Sequence, residues 1–366
     1  MLFKIESLIT SKPHGDGIGT GEASSPIGPR PAGFAHEQKT FFEANASMTK
    51  PRSFDGLLEE ILPPPDHPLY AQSKRYNLEA ERRGERIAAV LCLPREIPGM
   101  KVLDIGCGTG GVSVAFARRG GSVFALEPND THPLLMALTV ARARKAGVYL
   151  NPVIARGEAI PFAARSFDIV VLNDVLEHVQ SPEVVMREAA RVLGRGGLIY
   201  ISTPNKYSFR QIVREGHSGL FGVTLLPPRW AAFYATRVRK VTDRYTVNRI
   251  HSYGTVKKYL VDLGLDFVLV NRFRPRRHFY RDHPACPKRY RSGLVGILVR
   301  MCRLPVMREI ASFVATRPNM QPGFLEFVAS NDVIPPAIEE MYRLGSAPGQ
   351  MELELASEPR EGKAST

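Results

Sequence analysis

The run Leu103-Asp104-Ile105-Gly106-Cys107-Gly108-Thr109-Gly110-Gly111 places glycines at alternate positions directly after an apolar stretch, KVLDI. Glycines there let a chain turn tightly and bring its backbone N–H groups against a ligand with no side chain in the way. A dinucleotide site would use G-x-G-x-x-G over a pyrophosphate. Here Asp104 stands two positions before the first glycine, where it would repel a pyrophosphate and attract a cationic amine. Twenty-three residues after Asp104, Glu127 closes a second apolar run. That is the spacing at which a carboxylate meets a ribose diol at the edge of a doubly wound sheet.

A second constellation is Asp174-Val175-Leu176-Glu177-His178, which follows the apolar run FDIVVLN. Carboxylates at i and i+3 with an imidazole at i+4 would share one side of a helical turn and could hold a divalent metal. Ser202-Thr203-Pro204-Asn205 closes another apolar run, at the end of a strand where open α/β sheets bind ligands, although such a cluster also serves as a loop cap. His251, Tyr253 and the Tyr and His residues at 278–283 are acceptor-pocket candidates by location. The four cysteines, Cys92, Cys107, Cys286 and Cys302, form no C-x-x-C pair, which argues against a zinc ribbon and a disulfide framework.

The elements that must position these groups alternate in period. Residues 54–63 and 74–93 have helical spacing, and Pro94, Pro98 and Gly99 break the chain before KVLDI. Strand-like runs recur at 122–127, 149–155, 167–173 and 197–203. A helix over 182–193 follows a Ser181 N-cap with Pro182 at its first position and stops in Gly194, Gly196 and Gly197. Continuous apolar strands alternating with helices imply a parallel sheet covered on both faces, a doubly wound α/β domain. A helix at 254–263 and strands at 265–273 and 323–331 follow. If those two strands pair as a hairpin, the basic stretch of nearly fifty residues between them is an insertion at its tip.

The glycine turn, Glu127 and the run GEAIPFAARSFDIVVLNDVLEHVQSPEVVMREAARVLGRGGLIYISTPN closely resemble the class I S-adenosylmethionine (AdoMet) dependent methyltransferases, of the ubiquinone-biosynthesis-like, type 11 group. The resemblance covers about Gly99 to Asn205. It implies a mostly parallel seven-stranded sheet, the Rossmann-like methyltransferase fold, with AdoMet as cofactor. Asp104, Gly106, Gly108 and Gly110 would surround the methionine moiety, with Cys107 a packing residue within that cofactor loop. Glu127 would take the ribose hydroxyls and Pro128 line the adenine. Glu158, where family members usually have Asp, and Ala159 would meet the adenine edge, and Asn173 would face the sulfonium side. His178 could be a catalytic base for an oxygen acceptor, or the Glu177-His178 pair could only brace the next loop. Ubiquinone-pathway O-methyltransferases and small-RNA 3′-end methyltransferases carry E-x-x-E-H here. Asp174 is one methylene shorter than their leading Glu, so no metal is expected, with Asp174, Glu177 and His178 as the alternative ligands.

The 366 residues divide into a flexible tail (1–50), an N-terminal helical cap (51–97), the AdoMet-binding core (98–205), the completion of the sheet with basic acceptor-side insertions (206–345) and a second flexible tail (346–366). Composition is ordinary globular, and no run reaches the roughly 18–20 apolar residues of a spanning helix. The N-terminus lacks a secretory pattern, so a cytoplasmic protein is expected, with peripheral contact to the inner face of a membrane as an extension. Net charge is +13, and residues 206–309 hold 22 Lys plus Arg against 6 Asp plus Glu. Eleven of the basic residues lie between Arg272 and Arg308, against Asp282. Such an excess draws an anionic acceptor, an anionic leaflet or nucleic acid. The expected function is O-methylation of a small or lipid-linked acceptor, a sugar, quinol-like or phosphate-bearing compound. RNA methylation and a non-catalytic binding protein of the same fold are the alternatives.

Overall fold

The computed structural model describes residues 52–92, 97–128, 134–242, 245–270 and 324–334. The insertion at 274–322, the tyrosines and histidines of 278–283, Cys286, Cys302 and both tails lie outside the described residues.

Three helices come first: α1 (Phe54–Ile61), α2 (Tyr70–Leu78) and α3 (Ala80–Cys92). The Ser53 hydroxyl accepts from the Gly56 N–H at 3.1 Å and starts α1. The single helix expected over 74–93 is two, because the chain bends at Glu79. There the Asn77 carbonyl accepts from Arg142 at 2.7 Å, and Ala80 sits so close to Gly111 that a Cβ on that glycine would lie 2.4 Å from the Ala80 backbone.

Next come β1 (Lys101–Ile105), α4 (Gly111–Arg118), β2 (Ser122–Glu127), α5 (Leu135–Ala146), β3 (Asn151–Ile154), β4 (Phe167–Asn173), α6 (Pro182–Val192) and β5 (Leu193–Pro204). Strand β3 is shorter than the run expected at 149–155. Strand β5 starts inside the glycines expected to be a loop, since Leu193 already pairs with Phe167 and the register shifts before Leu198 joins Ile169. The chain continues through α7 (Phe209–Val213), a 3-10 turn (Val223–Leu225), α8 (Pro228–Phe233), a π turn (Tyr234–Val238), α9 (Tyr253–Asp262), β6 (Asp266–Leu269) and β7 (Phe324–Ser330).

The strands form one seven-stranded sheet in the order β3-β2-β1-β4-β5-β7-β6. All neighbours run parallel except β7, which is antiparallel to β5 and β6. The hairpin expected from the last two strands is present, from Asp266 opposite Ser330 to Leu269 opposite Phe327. Side chains alternate between faces, so Val102 joins one core and Leu103 and Ile105 the other. One core packs α3, α4 and α5 against the sheet, and the other packs α6 and α9. In the second, Phe124, Phe162 and Phe167 meet edge to face with centroids 5.0–5.4 Å apart. The strand order reverses between β1 and β4, and in an open α/β sheet ligands bind outside the carboxyl ends at such a point.

Candidate functional site

The glycine loop leaves β1 at the point of reversal. Gly106 (φ +65°) and Gly110 (φ +76°) are left-handed, and each is also closely packed. A Cβ on Gly106 would lie 2.8 Å from a Val175 methyl, and one on Gly110 would lie 2.8–3.0 Å from Thr139. Thr139 of α5 donates its hydroxyl to the Gly108 carbonyl at 2.8 Å. Arg142, one turn on, donates to the Thr109 carbonyl at 2.7 Å and pairs with Glu81 at 3.1 Å, tying the loop to α3. The N-terminal helices are thus part of the loop's support.

Glu127 ends β2 with 5% exposure, and its carboxylate accepts the Gly108 N–H at 2.9 Å. The spacing read from the sequence therefore brings the second acidic residue directly onto the glycine turn. Asp104 lies beneath the loop at 2% exposure and accepts the Ser113 hydroxyl at 2.6 Å, in the first turn of α4. Burial pushes its carboxyl up to about 7. Cys107 is buried with its sulfur 3.7 Å from the Thr139 hydroxyl, and burial pushes its thiol well above the usual range. It belongs to the core that packs α3, α4 and α5 on the sheet.

Pro128 is half-buried beyond Glu127, and Ala159 is exposed in the loop after β3. The Glu158 carboxylate accepts from the backbone N–H groups of Gln180 and Ser181, at 3.2 and 3.5 Å. This corrects the Ser181 reading: its hydroxyl makes no cap bond, and Glu158 supplies the anion at the start of α6. Asn173 ends β4, its amide 3.5 Å from the Asp174 carboxylate.

The segment from Asp174 to His178 is a turn, so the one-sided helical array of D-x-x-E-H does not form. Asp174, left-handed at φ +59°, turns toward the mouth of the site. Its carboxylate accepts from Tyr76 of α2 at 2.8 Å and from Ser202 of β5 at 2.9 Å. Glu177 points inward, fully buried, with one oxygen accepting from Thr203 at 3.2 Å and the other without a partner. Burial, reinforced by Asp174, pushes its carboxyl up. The His178 Nε2 lies 4.0 Å from that unpartnered oxygen, and its Nδ1 is 3.2 Å from the Thr246 carbonyl. Burial and the neighbouring His217 push His178 down to about 4.

His217 is the residue that spacing could not reveal. It stands edge-on to His178 with ring centroids 4.9 Å apart, and its Nδ1 is 2.6 Å from Glu215. Burial works against both charges, but His217 and Ser218 hold the Glu215 carboxyl down to about 2, and Glu215 raises His217. Glu177, His178 and His217 offer one carboxylate oxygen and two ring nitrogens within 4.8 Å of one another. The gathered set therefore exchanges Asp174 for His217. The loop-bracing role of Glu177-His178 is also present, since the Glu177 carbonyl accepts from the Asn248 N–H at 2.7 Å and the His178 carbonyl from the Asn248 amide.

His251 is buried against the Leu176 carbonyl, and Tyr253 stacks on Phe327. A cavity of about 300 Å³ lies beside them, lined among others by Lys206, Tyr207, Leu226, Tyr245 and Arg249.

Residues 103–201 match the methyltransferase domain family, a stretch that runs from β1 into β5. The chain is 36% identical over 113 residues to a ubiquinone biosynthesis O-methyltransferase of Rhizobium etli and 38% identical over 112 residues to one of Rhizobium rhizogenes. Each match covers 31% of this chain and 44% of the relative, so the chain spans under half the length of the curated relatives it matches. A solved S-adenosylmethionine dependent methyltransferase from Mesorhizobium loti is 19% identical, covering 67% of this chain and 97% of that one, with a TM-score of 0.41.

Proposed function

We propose that this chain, whose residues 103–201 are a class I AdoMet-dependent methyltransferase domain, transfers the AdoMet methyl group to an oxygen of a small or lipid-linked acceptor. The observation that carries the reading is the clamp at the point of strand reversal. Glu127 closes on the Gly108 N–H, with Asp104 beneath the same loop. One carboxylate would take the ribose diol and the other would act on the cofactor's ammonium.

In the transfer a lone pair of the acceptor oxygen forms the new C–O bond as the C–S bond breaks and its electrons return to sulfur. The sulfonium charge is neutralised, so alignment supplies most of the acceleration. The acceptor's proton must leave, and His178 is the base read from the sequence. Burial and His217 keep it neutral at pH 7, so its ring can take the proton that the acceptor oxygen sheds as the C–O bond forms. The cavity supplies Lys206 and Arg249 for a phosphate or carboxylate on that acceptor.

The test is incubation of a lipid extract, a polar extract and an RNA pool with isotopically labelled AdoMet, read by mass spectrometry. Label in a small or lipid-linked compound supports the proposal. Label in RNA selects the RNA alternative, and AdoMet binding without transfer selects a binding protein.

A second reading is favoured by the unpartnered Glu177 oxygen: a divalent cation held by Glu177, His178 and His217. The donor set fits, because Thr246 and Glu215 engage the Nδ1 atoms, which leaves the Nε2 atoms as donors to a cation. A bound cation would act as a Lewis acid on an acceptor hydroxyl. Thermal denaturation with added manganese or zinc tests it. A midpoint that rises for the wild type but not for Glu177→Gln or His217→Ala supports the cation, and a midpoint indifferent to metal removes it.

A further inference from the structure

Of the large apolar side chains exposed among the described residues, nine fall between Lys206 and Val241: Tyr207, Phe209, Val213, Phe221, Leu225, Leu226, Trp230, Phe233 and Val238. This segment lies outside the part that matches the methyltransferase family. It is also built to hold its shape. Leu220, Val223, Ala231 and Ala235 form a small core with Tyr234, Val241 and Tyr245 packed against it, and Pro228 opens α8 at its first turn. With the small residues turned inward, the large ones are left outside. Phe209 and Phe221 are each 67% exposed and Trp230 63%, and Trp230 and Phe233 stand edge to face at 6.0 Å.

The exposed charge of the same segment has one sign. Residues 206–241 contain Lys206, Arg210, Arg214, Arg229, Arg237, Arg239 and Lys240, of which all but Lys206 are exposed. The acid in the segment, Glu215, is fully buried and spent on His217 and Ser218. Aromatic rings beside arginines, with the acids withdrawn, is the composition that lies in the interface of an anionic bilayer. Nucleic acid would match the arginines and rings. The exposed aliphatic residues Val213, Leu225, Leu226 and Val238 do not stack on bases, and hydrocarbon is what they match. A protein interface would withdraw charge from its centre, whereas here arginines alternate with the apolar side chains.

We propose that residues 206–241 dock this protein on an anionic phospholipid surface, with Trp230 and Phe233 entering the headgroup region and Arg229, Arg237, Arg239 and Lys240 meeting lipid phosphates. The docking does not rest on methyl transfer. Its placement matters to the site all the same, because Lys206, Tyr207, Leu226, Pro227, Pro228 and Ala231 also line the cavity. A lipid-borne acceptor would reach that cavity without crossing water.

Trp230 is the one tryptophan of the chain, so its emission reports on this segment alone. The full chain is titrated with vesicles of phosphatidylcholine and with vesicles containing about a third phosphatidylglycerol. The expected result is a blue shift with the anionic vesicles, co-sedimentation roughly ten-fold stronger than with the neutral ones, and binding that weakens as salt is added. Paired Arg237→Glu and Arg239→Glu, and separately paired Phe209→Ser and Phe233→Ser, should each lower vesicle affinity about ten-fold while AdoMet binding, which reports folding, stays unchanged. Four results would overturn the proposal: no vesicle binding, binding with unshifted Trp230 emission, equal affinity for neutral and anionic vesicles, or a shift produced by single-stranded RNA and not by lipid.

Discussion

Replacing Asp104 by Asn separates the cost of a buried carboxylate from its use. The side chain is 2% exposed, and burial raises its pKa from 3.8 to about 7. In the unfolded chain the carboxyl ionises near 3.8, so between these values the unfolded state binds fewer protons and wild-type stability falls as pH rises. Three pH units at about 1.4 kcal/mol each make the full penalty about 4 kcal/mol, of which roughly 2 kcal/mol accrues between about pH 5.5 and about pH 7.5. Asn keeps an acceptor for the Ser113 hydroxyl and loses only the charge assistance of that bond, about 1 kcal/mol. Asp104→Asn should therefore gain about 2 kcal/mol on the wild type across that window in urea denaturation. The cofactor's ammonium would repay the ionisation, so AdoMet binding near pH 6 should release a proton, seen as a calorimetric enthalpy that varies with the buffer. Asp104→Asn should abolish the release and weaken binding about 30-fold, the loss of one charge-assisted bond. Parallel stability profiles of the two proteins, or equal AdoMet affinity, would refute the reasoning.

Glu127→Ala removes the acceptor of the Gly108 N–H together with the ribose carboxylate, and AdoMet affinity should fall about 100-fold by calorimetry. Unchanged affinity would remove Glu127 from the cofactor site. Gly110→Ala combines left-handed backbone with a Cβ 2.8–3.0 Å from Thr139, so it should lower the thermal midpoint and AdoMet affinity together. Gly147→Ala shares the positive φ but meets nothing within 4 Å, and should cost about 1 kcal/mol of stability without touching affinity. Equal effects at both glycines would show that packing on Thr139 is irrelevant.

The arrangement proposed for the cofactor was legible because its parts are local. A glycine turn after β1 and an acid at the end of β2 are consequences of chain direction in a parallel sheet, so spacing along the chain translates directly into position. Spacing failed where side chains meet through long-range packing. D-x-x-E-H reads as one face of a helix, yet the chain turns at Asp174, sending its carboxylate to Tyr76 and Ser202 while Glu177 goes inward to Thr203. The histidine that joins Glu177 and His178 arrives from residue 217, in a segment with no motif. Its sequence neighbour Glu215 was the available signal, an acid two residues from a histidine in a stretch otherwise basic.

The same distinction explains why the sequence named no acceptor. The groups proposed to meet the acceptor come from the turn after β4 and from the 206–249 segment, which lie far apart in the sequence. Charge alone pointed to the stretch from Arg272 to Arg308, because a count of arginines records no exposure. Burial adds what a count omits: between Lys206 and Val241 it hides the acid, turns the small core inward and leaves rings and arginines outside. If the segment docks on lipid as proposed, a lipid-borne acceptor would be presented beside the cavity that Lys206, Tyr207 and Leu226 line.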